Sequence, residues 1–299
     1  MLLSRRTLIR CLAATGTAAA FPALADARGL SDPDRERLLE WARTLRIEGF
    51  SLPGSAIGRA AAKVGELAAG SPYKPSTLEE YLQAGGNPAR EPLTLSLTHF
   101  DCVTLVESCL AVARVAAAST RPTWEGFGVE VERMRYREGK RSGYASRLHY
   151  FSEWISDGER RGIVRDLGRE LGGRADLRPL RFMTRQRESY PALADESIFR
   201  KIGAMERSLD GNARWVVPTA LIPSVAHRIH TGDVLAFATR ISGLDVTHAA
   251  FAYRDAVGIL RVLHAPLSGG VVEITRATLP EYVAGISNSS GILVARPQD

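Results

Sequence analysis

In the stretch HFDCVTLVESCLAVARV, a cysteine, Cys102, stands directly after Asp101, at the point where polar residues give way to an apolar helical run. The thiolate is the nucleophilic form of cysteine, and only a few per cent of a free thiol is ionised at neutral pH. The first turn of a helix has unpaired N–H groups and the positive end of the macrodipole, which favour the thiolate. The same N–H groups can hold the oxyanion of a tetrahedral intermediate. Cys102 is therefore a candidate nucleophile that still needs a base.

Six histidines could supply one: His99, His149, His227, His230, His248 and His264. His248 in VTHAAFAY and His264 in RVLHAP fall in two strand-like runs. A turn centred near Ala256 would make them direct cross-strand partners on one face, while a register shifted by one residue would separate them. As a pair, one imidazole would take the thiol proton and the other would orient it. Either could equally be a structural strand histidine. His227 and His230 lie in a loop with no third ligand suitably spaced, so no metal site and no cofactor is expected. His99 reads as a solvated loop residue. Neither a G-x-S-x-G elbow nor a phosphate-binding loop occurs.

The elements that must carry these groups are legible in outline. Either Asp101 caps a helix starting at Cys102, or Thr98 caps it with Asp101 completing a capping box. Both place Cys102 in or near the first turn of a helix running to about Ala117. Asp101 then reads as a cap, and Glu107 as a partly buried carboxylate needing a partner. Cys109, seven residues further on, would lie about 10 Å from Cys102, too far for a disulfide, and reads as core. Upstream, DPDRERLLEWARTLRIEG and SAIGRAAAKVGELAAG predict two amphipathic helices. Residues 120–215 read as a helical or irregular elaboration. From Gly232 the period becomes two, and five short runs, GDVLAFAT, VTHAAFAYR, ILRVLHAPL, GVVEITR and GILVARP, predict an antiparallel meander. Helices first and strands last make an α+β chain.

The 299 residues are 45% hydrophobic and 24% charged, an ordinary globular balance. The first 27 residues have a basic start, an Ala-rich apolar middle and small residues at Ala23, Ala25 and Ala27, the pattern of a secretory signal peptide. Arg5-Arg6 resembles a twin-arginine export signal, so a periplasmic or secreted protein is expected, with no stable membrane anchor. Cleavage after Ala25 would remove three arginines and lower the net charge from +6 to +3. Such a weakly basic protein is not expected to bind nucleic acid.

FDCVTLVE, followed by THAAFAY and LHAP, resembles the NlpC-type cell-wall cysteine peptidases of the papain-like superfamily. More narrowly, the chain resembles the N-acetylmuramoyl-L-alanine amidase-like family, through Pro72-Tyr73, Thr77-Leu78-Glu79, Asp101 to Glu107, Arg147 to Trp154, Thr231-Gly232-Asp233 and Asp245 to His248. The resemblance covers roughly residues 70–299. It implies a papain-like α+β fold in which N-terminal helices, with the nucleophile at a helix N-terminus, pack on a C-terminal antiparallel sheet within one domain over 28–299. It implies hydrolysis of the amide joining N-acetylmuramic acid to L-Ala in peptidoglycan or muropeptides, with Cys102, His248 and His264 as the catalytic residues. The His248–His264 separation is longer than is usual in the wider superfamily. The Cys102 N–H and Tyr73 would then stabilise the oxyanion, and Arg147, His149, Tyr150 and Trp154 would contact substrate. The last group reads equally well as an amphipathic helix with its aromatics in the core. Three rival readings remain: an endopeptidase cutting between D-Glu and diaminopimelate, an acyltransferase or thioesterase of the same fold, and a non-catalytic wall-binding module.

Overall fold

Helix α1 (Pro33–Ile47) starts where Asp32 accepts the N–H groups of Asp34 and Arg35, with proline at the first helical position. There the missing N–H has no intrahelical partner to lose. The computed structural model describes residues 32–50, 52, 56–268 and 270–299; the export signal read over 1–27 lies outside the described residues. Nine further helices follow: α2 (Ile57–Leu67), α3 (Glu80–Gln83), α4 (Cys102–Ala117), α5 (Trp124–Arg135), α6 (Phe151–Arg160), α7 (Phe182–Arg185), α8 (Glu196–Ser208), α9 (Ile222–Val225) and α10 (Leu279–Ala284). Among the described residues, no helix is long and apolar enough to cross a membrane.

Eight strands among the described residues form one antiparallel sheet. They are β1 (Val164–Asp166), β2 (Arg174–Asp176), β3 (Arg214–Pro218), β4 (Val234–Thr239), β5 (Val246–Arg254), β6 (Leu260–His264), β7 (Glu273–Ile274) and β8 (Ser289–Pro297). The order is β2-β3-β8-β4-β5-β6-β7, with β1 also paired to β8. The meander from β4 to β7 matches the period-two reading. The last strand does not extend it: β8 crosses back to pair with β4, whose six residues are all buried. Residues 120–215 also depart from the helical expectation, because β1, β2 and the start of β3 lie there. Two of these strands are only three residues long, too short to show a period.

The sheet separates two cores. Ala236, Ala249, Phe251, Leu263 and Ala295 face the main helical core with α1, α2 and α4. Leu235, Phe237, Ala250, Val262 and Val294 face the other way, under Ile222, Leu279 and Val283. A third cluster, including Tyr144, Tyr150, Met183 and Ile202, belongs to the elaboration. Helix α4 lies deep in the first core: Leu105, Val106, Cys109, Leu110 and Val112 are all fully buried. Burial of each large aliphatic side chain favours folding by about 1.5–3 kcal/mol. That packing holds the start of α4 in place.

Two backbone contacts fix how closely the layers meet. Gly232 has φ +88°, and a Cβ there would stand 1.9 Å from the carbonyl oxygen of Gly58 at the start of α2. The Thr-Gly-Asp segment is thus a close-approach point, and Asp233 beside it is buried against Arg296 at 2.7 Å. Asp245 accepts the N–H groups of Ser152 and Val246, both at 2.8 Å. It thereby caps α6 from the start of β5 and ties two of the sequence motifs together.

Candidate active site

The position of Cys102 is determined locally. Asp101 is the N-cap of α4: its Oδ1 accepts the N–H groups of Val103 (3.0 Å) and Thr104 (2.7 Å), and its own N–H donates to Thr104 Oγ1 (2.8 Å). Cys102 is therefore the first helical residue. Its side chain is only partly exposed. Burial, and secondarily the Asp101 carboxylate, push the thiol up to about 12, while N–H groups of Ala249, Cys102 and Val103 oppose that rise.

The Ala249 N–H, which favours the Cys102 thiolate, belongs to β5. Ala252 exchanges its backbone hydrogen bonds with Gly232 and Asp233, on the β4 side. Strand alternation then points the Ala249 N–H toward the β6 side. The paired register with β6 ends at Phe251↔Leu263. Ala249 thus lies beyond the last paired residues of β5 and β6, one residue from His248.

His248 and His264 are on one face of the sheet, as the strand parity requires. Their register differs from the sequence reading by two residues: the turn centres on Val257, because Phe251 faces Leu263. A shift of two keeps both rings on the same face and makes them diagonal neighbours. A bulge between β4 and β5, where Ala236 faces Ala249 but Ala238 faces Val246, sits at His248. His248 Nε2 lies 2.8 Å from His264 Nδ1. Phe237 stacks on His248 at 5.7 Å, and the Tyr282 hydroxyl reaches His264 Nδ1 at 3.3 Å. Burial, with His264 adding to it, lowers His248 to about 3, and burial lowers His264 to about 4. Burial raises Tyr282 to about 12, and the charge of Cys102 contributes. At neutral pH the resting site therefore holds a thiol and two neutral imidazoles.

The N-acetylmuramoyl-L-alanine amidase-like family matches residues 63–292. The chain belongs to that family of amidase-like peptidoglycan hydrolases. Among solved structures, an N-acetylmuramoyl-L-alanine amidase from Bacteroides uniformis is 28% identical over 81% of this chain and 99% of its own, with a TM-score of 0.73. A Bacteroides fragilis protein whose name calls it a xylanase is 30% identical over 78% of this chain and 99% of its own, with a TM-score of 0.71. A Legionella pneumophila protein, 17% identical over 89% and 94%, shares the fold at a TM-score of 0.63. No curated protein matches the chain.

The other residues expected at a site of this family fall into two groups. Tyr73 is held near Cys102: its N–H donates to the Gly270 carbonyl, and the flanking Pro72 and Lys74 both bond the backbone of Phe100, two residues before Cys102. Arg147, His149, Tyr150 and Trp154 are instead occupied within the protein. Arg147 is buried, pairs with Glu79, lies 3.5 Å from Glu91 and stacks over Tyr144. His149 Nε2 donates to the Tyr144 carbonyl at 2.8 Å, and burial holds the ring well below its ordinary range. The Tyr150 hydroxyl donates to Glu206 at 2.7 Å, and Trp154 is buried and stacked on Phe151. Arg147, His149 and Tyr150 thus have polar partners within the protein, and Trp154 is packed against Phe151.

The remaining candidates have simple placements. Glu107 finds its partner in Arg135 at 2.7 Å, with both side chains buried. His99 bonds the Ser96 hydroxyl, and His227 and His230 are exposed on either side of buried Ile229. Sequence reasoning missed Phe237, Tyr282 and the Ala249 N–H. Thr278 and Glu281 do form the capping box that their spacing signals, but nothing in the sequence links the helix they start to His264.

Proposed function

We propose that the protein hydrolyses the amide between N-acetylmuramic acid and L-Ala by a Cys-His-His mechanism, on a papain-like, NlpC-type scaffold spanning residues 28–299. The observation that carries this reading is the pairing of His248 with His264, together with a helix-start thiol whose ionisation is favoured by the N–H of Ala249, the residue after His248. With Nε2 of His248 turned to His264, its Nδ1 is the nitrogen available to the thiol. The Cys102 sulfur attacks the lactyl carbonyl as its proton passes to His248. The oxyanion is held by the Cys102 N–H and the Tyr73 hydroxyl. His248 then protonates the leaving L-Ala nitrogen, the C–N bond breaks, and a thioester to the lactyl group remains. Water, deprotonated by His248, hydrolyses the thioester and restores the thiol. With the thiol raised and the imidazoles lowered, proton transfer accompanies attack rather than preceding it.

The family and the name of the B. uniformis structure support the amidase choice. A glycosidase, as the name of the B. fragilis structure would suggest, works through two facing carboxylates; the groups gathered here are a thiol and two imidazoles. Product identification on a defined muropeptide tests the reading. Release of intact L-Ala-headed stem peptide is expected, whereas cleavage after D-Glu would favour the endopeptidase reading. Consumption of acyl lipids instead would favour an acyltransferase or thioesterase. We further propose that residues 1–27 direct export by the twin-arginine route, which detection of the cleaved protein in the periplasm or medium, lost with Arg5 and Arg6 replaced by Lys, would test.

A further inference from the structure

His264 meets His248 through Nδ1, but its other ring nitrogen is unusual. Nε2 is buried and has no hydrogen-bond partner. The carboxylate facing it is Glu273, whose Oε1 lies 3.7 Å away. That distance is just too long for a hydrogen bond. Glu273 stands directly opposite His264 across the β6–β7 pairing, so the strand register itself sets this approach. The carboxylate is about half exposed, whereas the imidazole is almost fully buried.

A neutral imidazole carries one proton, and the partner of each nitrogen decides where it sits. The two histidines share one hydrogen bond, which can run in either direction. If His264 is protonated on Nε2, its Nδ1 accepts from His248 Nε2–H, and His248 Nδ1 keeps a lone pair for the thiol. If His264 is protonated on Nδ1, it donates to His248 Nε2. The His248 proton then sits on Nδ1, where it cannot act as a base. The first arrangement needs an acceptor for a buried Nε2–H, because leaving that group unpaired is costly. The other titratable group near His264, Tyr282, approaches Nδ1 and cannot serve Nε2.

We propose that Glu273 is a positioning residue that closes on His264 Nε2–H and so selects the His248 tautomer able to accept the Cys102 proton. It acts through His264 and touches neither the sulfur nor the scissile bond. This inference rests on the Cys-His-His reading. It adds a fourth group from the short edge strand β7, giving the order Cys102, His248, His264, Glu273.

The test compares the mature wild-type enzyme with Glu273→Ala and Glu273→Gln, using nitrogen-15 NMR of labelled histidine and steady-state kinetics on a defined muropeptide. Wild type is expected to show His264 protonated on Nε2. Glu273→Ala should move that proton to Nδ1 and lower kcat at least about tenfold, as loss of correctly poised general-base catalysis does, with KM little changed. Glu273→Gln keeps a carbonyl acceptor and should retain the Nε2–H form and more of the activity. An unchanged tautomer in Glu273→Ala, or wild-type kcat in that variant, overturns the proposal. The NMR arm is independent of substrate. Failure of wild type to cleave the muropeptide would therefore sink the amidase reading while the tautomer still decides the role of Glu273.

Discussion

His248 Nε2 and His264 Nδ1 lie 2.8 Å apart across two strands, and the N–H of the residue after His248 favours ionisation of Cys102. In the proposed mechanism this strand pair orients the base, His248. Removing the orienting ring should cost rate more than binding. His264→Ala is expected to lower kcat by about 10²-fold or more, within the range for general acid–base contributions, with KM changed little. A parallel rise in KM at unchanged kcat would assign His264 to substrate binding instead.

The buried imidazoles also make stability depend on pH. Both have folded pKa values, about 3 and about 4, below their ordinary value of 6.5. Between those values and 6.5 the unfolded chain binds more protons, so stability falls with falling pH. The contribution is complete above about pH 6.5 and is progressively lost toward pH 4 and below. Denaturant midpoints measured from pH 7 to pH 4 should fall more steeply for wild type than for His264→Asn. Parallel curves would mean that the ring is not held neutral by the fold.

Arg147 and Glu107 test the fold assignments. Arg147 pairs with Glu79 and Glu91, and Glu107 pairs with Arg135 in the core. Removing one partner of a buried pair typically costs about 3–5 kcal/mol, because the other charge is left buried. Arg147→Ala and Glu107→Ala should each lower the denaturant midpoint accordingly. If Arg147→Ala kept wild-type stability but raised KM, the residue would belong to substrate binding after all.

Gly232→Ala should destabilise strongly, since it places a Cβ at positive φ and 1.9 Å from the Gly58 carbonyl oxygen. Equilibrium unfolding reads this directly, and a wild-type midpoint would show that α2 and β4 need not meet so closely. Substituting Gly258, at φ +87° in an open turn with nothing within 4 Å, gives a comparison for conformational strain alone.

The sequence carried the position of Cys102 well, because capping is local: Asp101, Cys102 and Thr104 specify it within four residues. Parity put His248 and His264 on one face, since alternation survives a two-residue shift in register. The register itself was not legible: nothing local says that the turn centres on Val257, closed by the Asp255 N–H to the Ile259 carbonyl, rather than on Ala256. The path of β8 beside β4 was hidden because it is a pairing distant in sequence. Arg147, His149, Tyr150 and Trp154 suited a binding cluster by residue type. Arg147 and Tyr150 pair with Glu79, Glu91 and Glu206, distant acceptors that no local pattern announces. Tyr282 and Glu273 reach His264 for the same non-local reason.

The most direct test of the central claim is product analysis of a defined muropeptide incubated with wild type and with Cys102→Ala, whose fold should persist because alanine suits the first turn of α4. Wild type should release the intact stem peptide with a free L-Ala amine and the lactyl-bearing sugar, while Cys102→Ala, folded by circular dichroism, releases neither. Undiminished release by Cys102→Ala, or wild-type cleavage at another bond, would contradict the account.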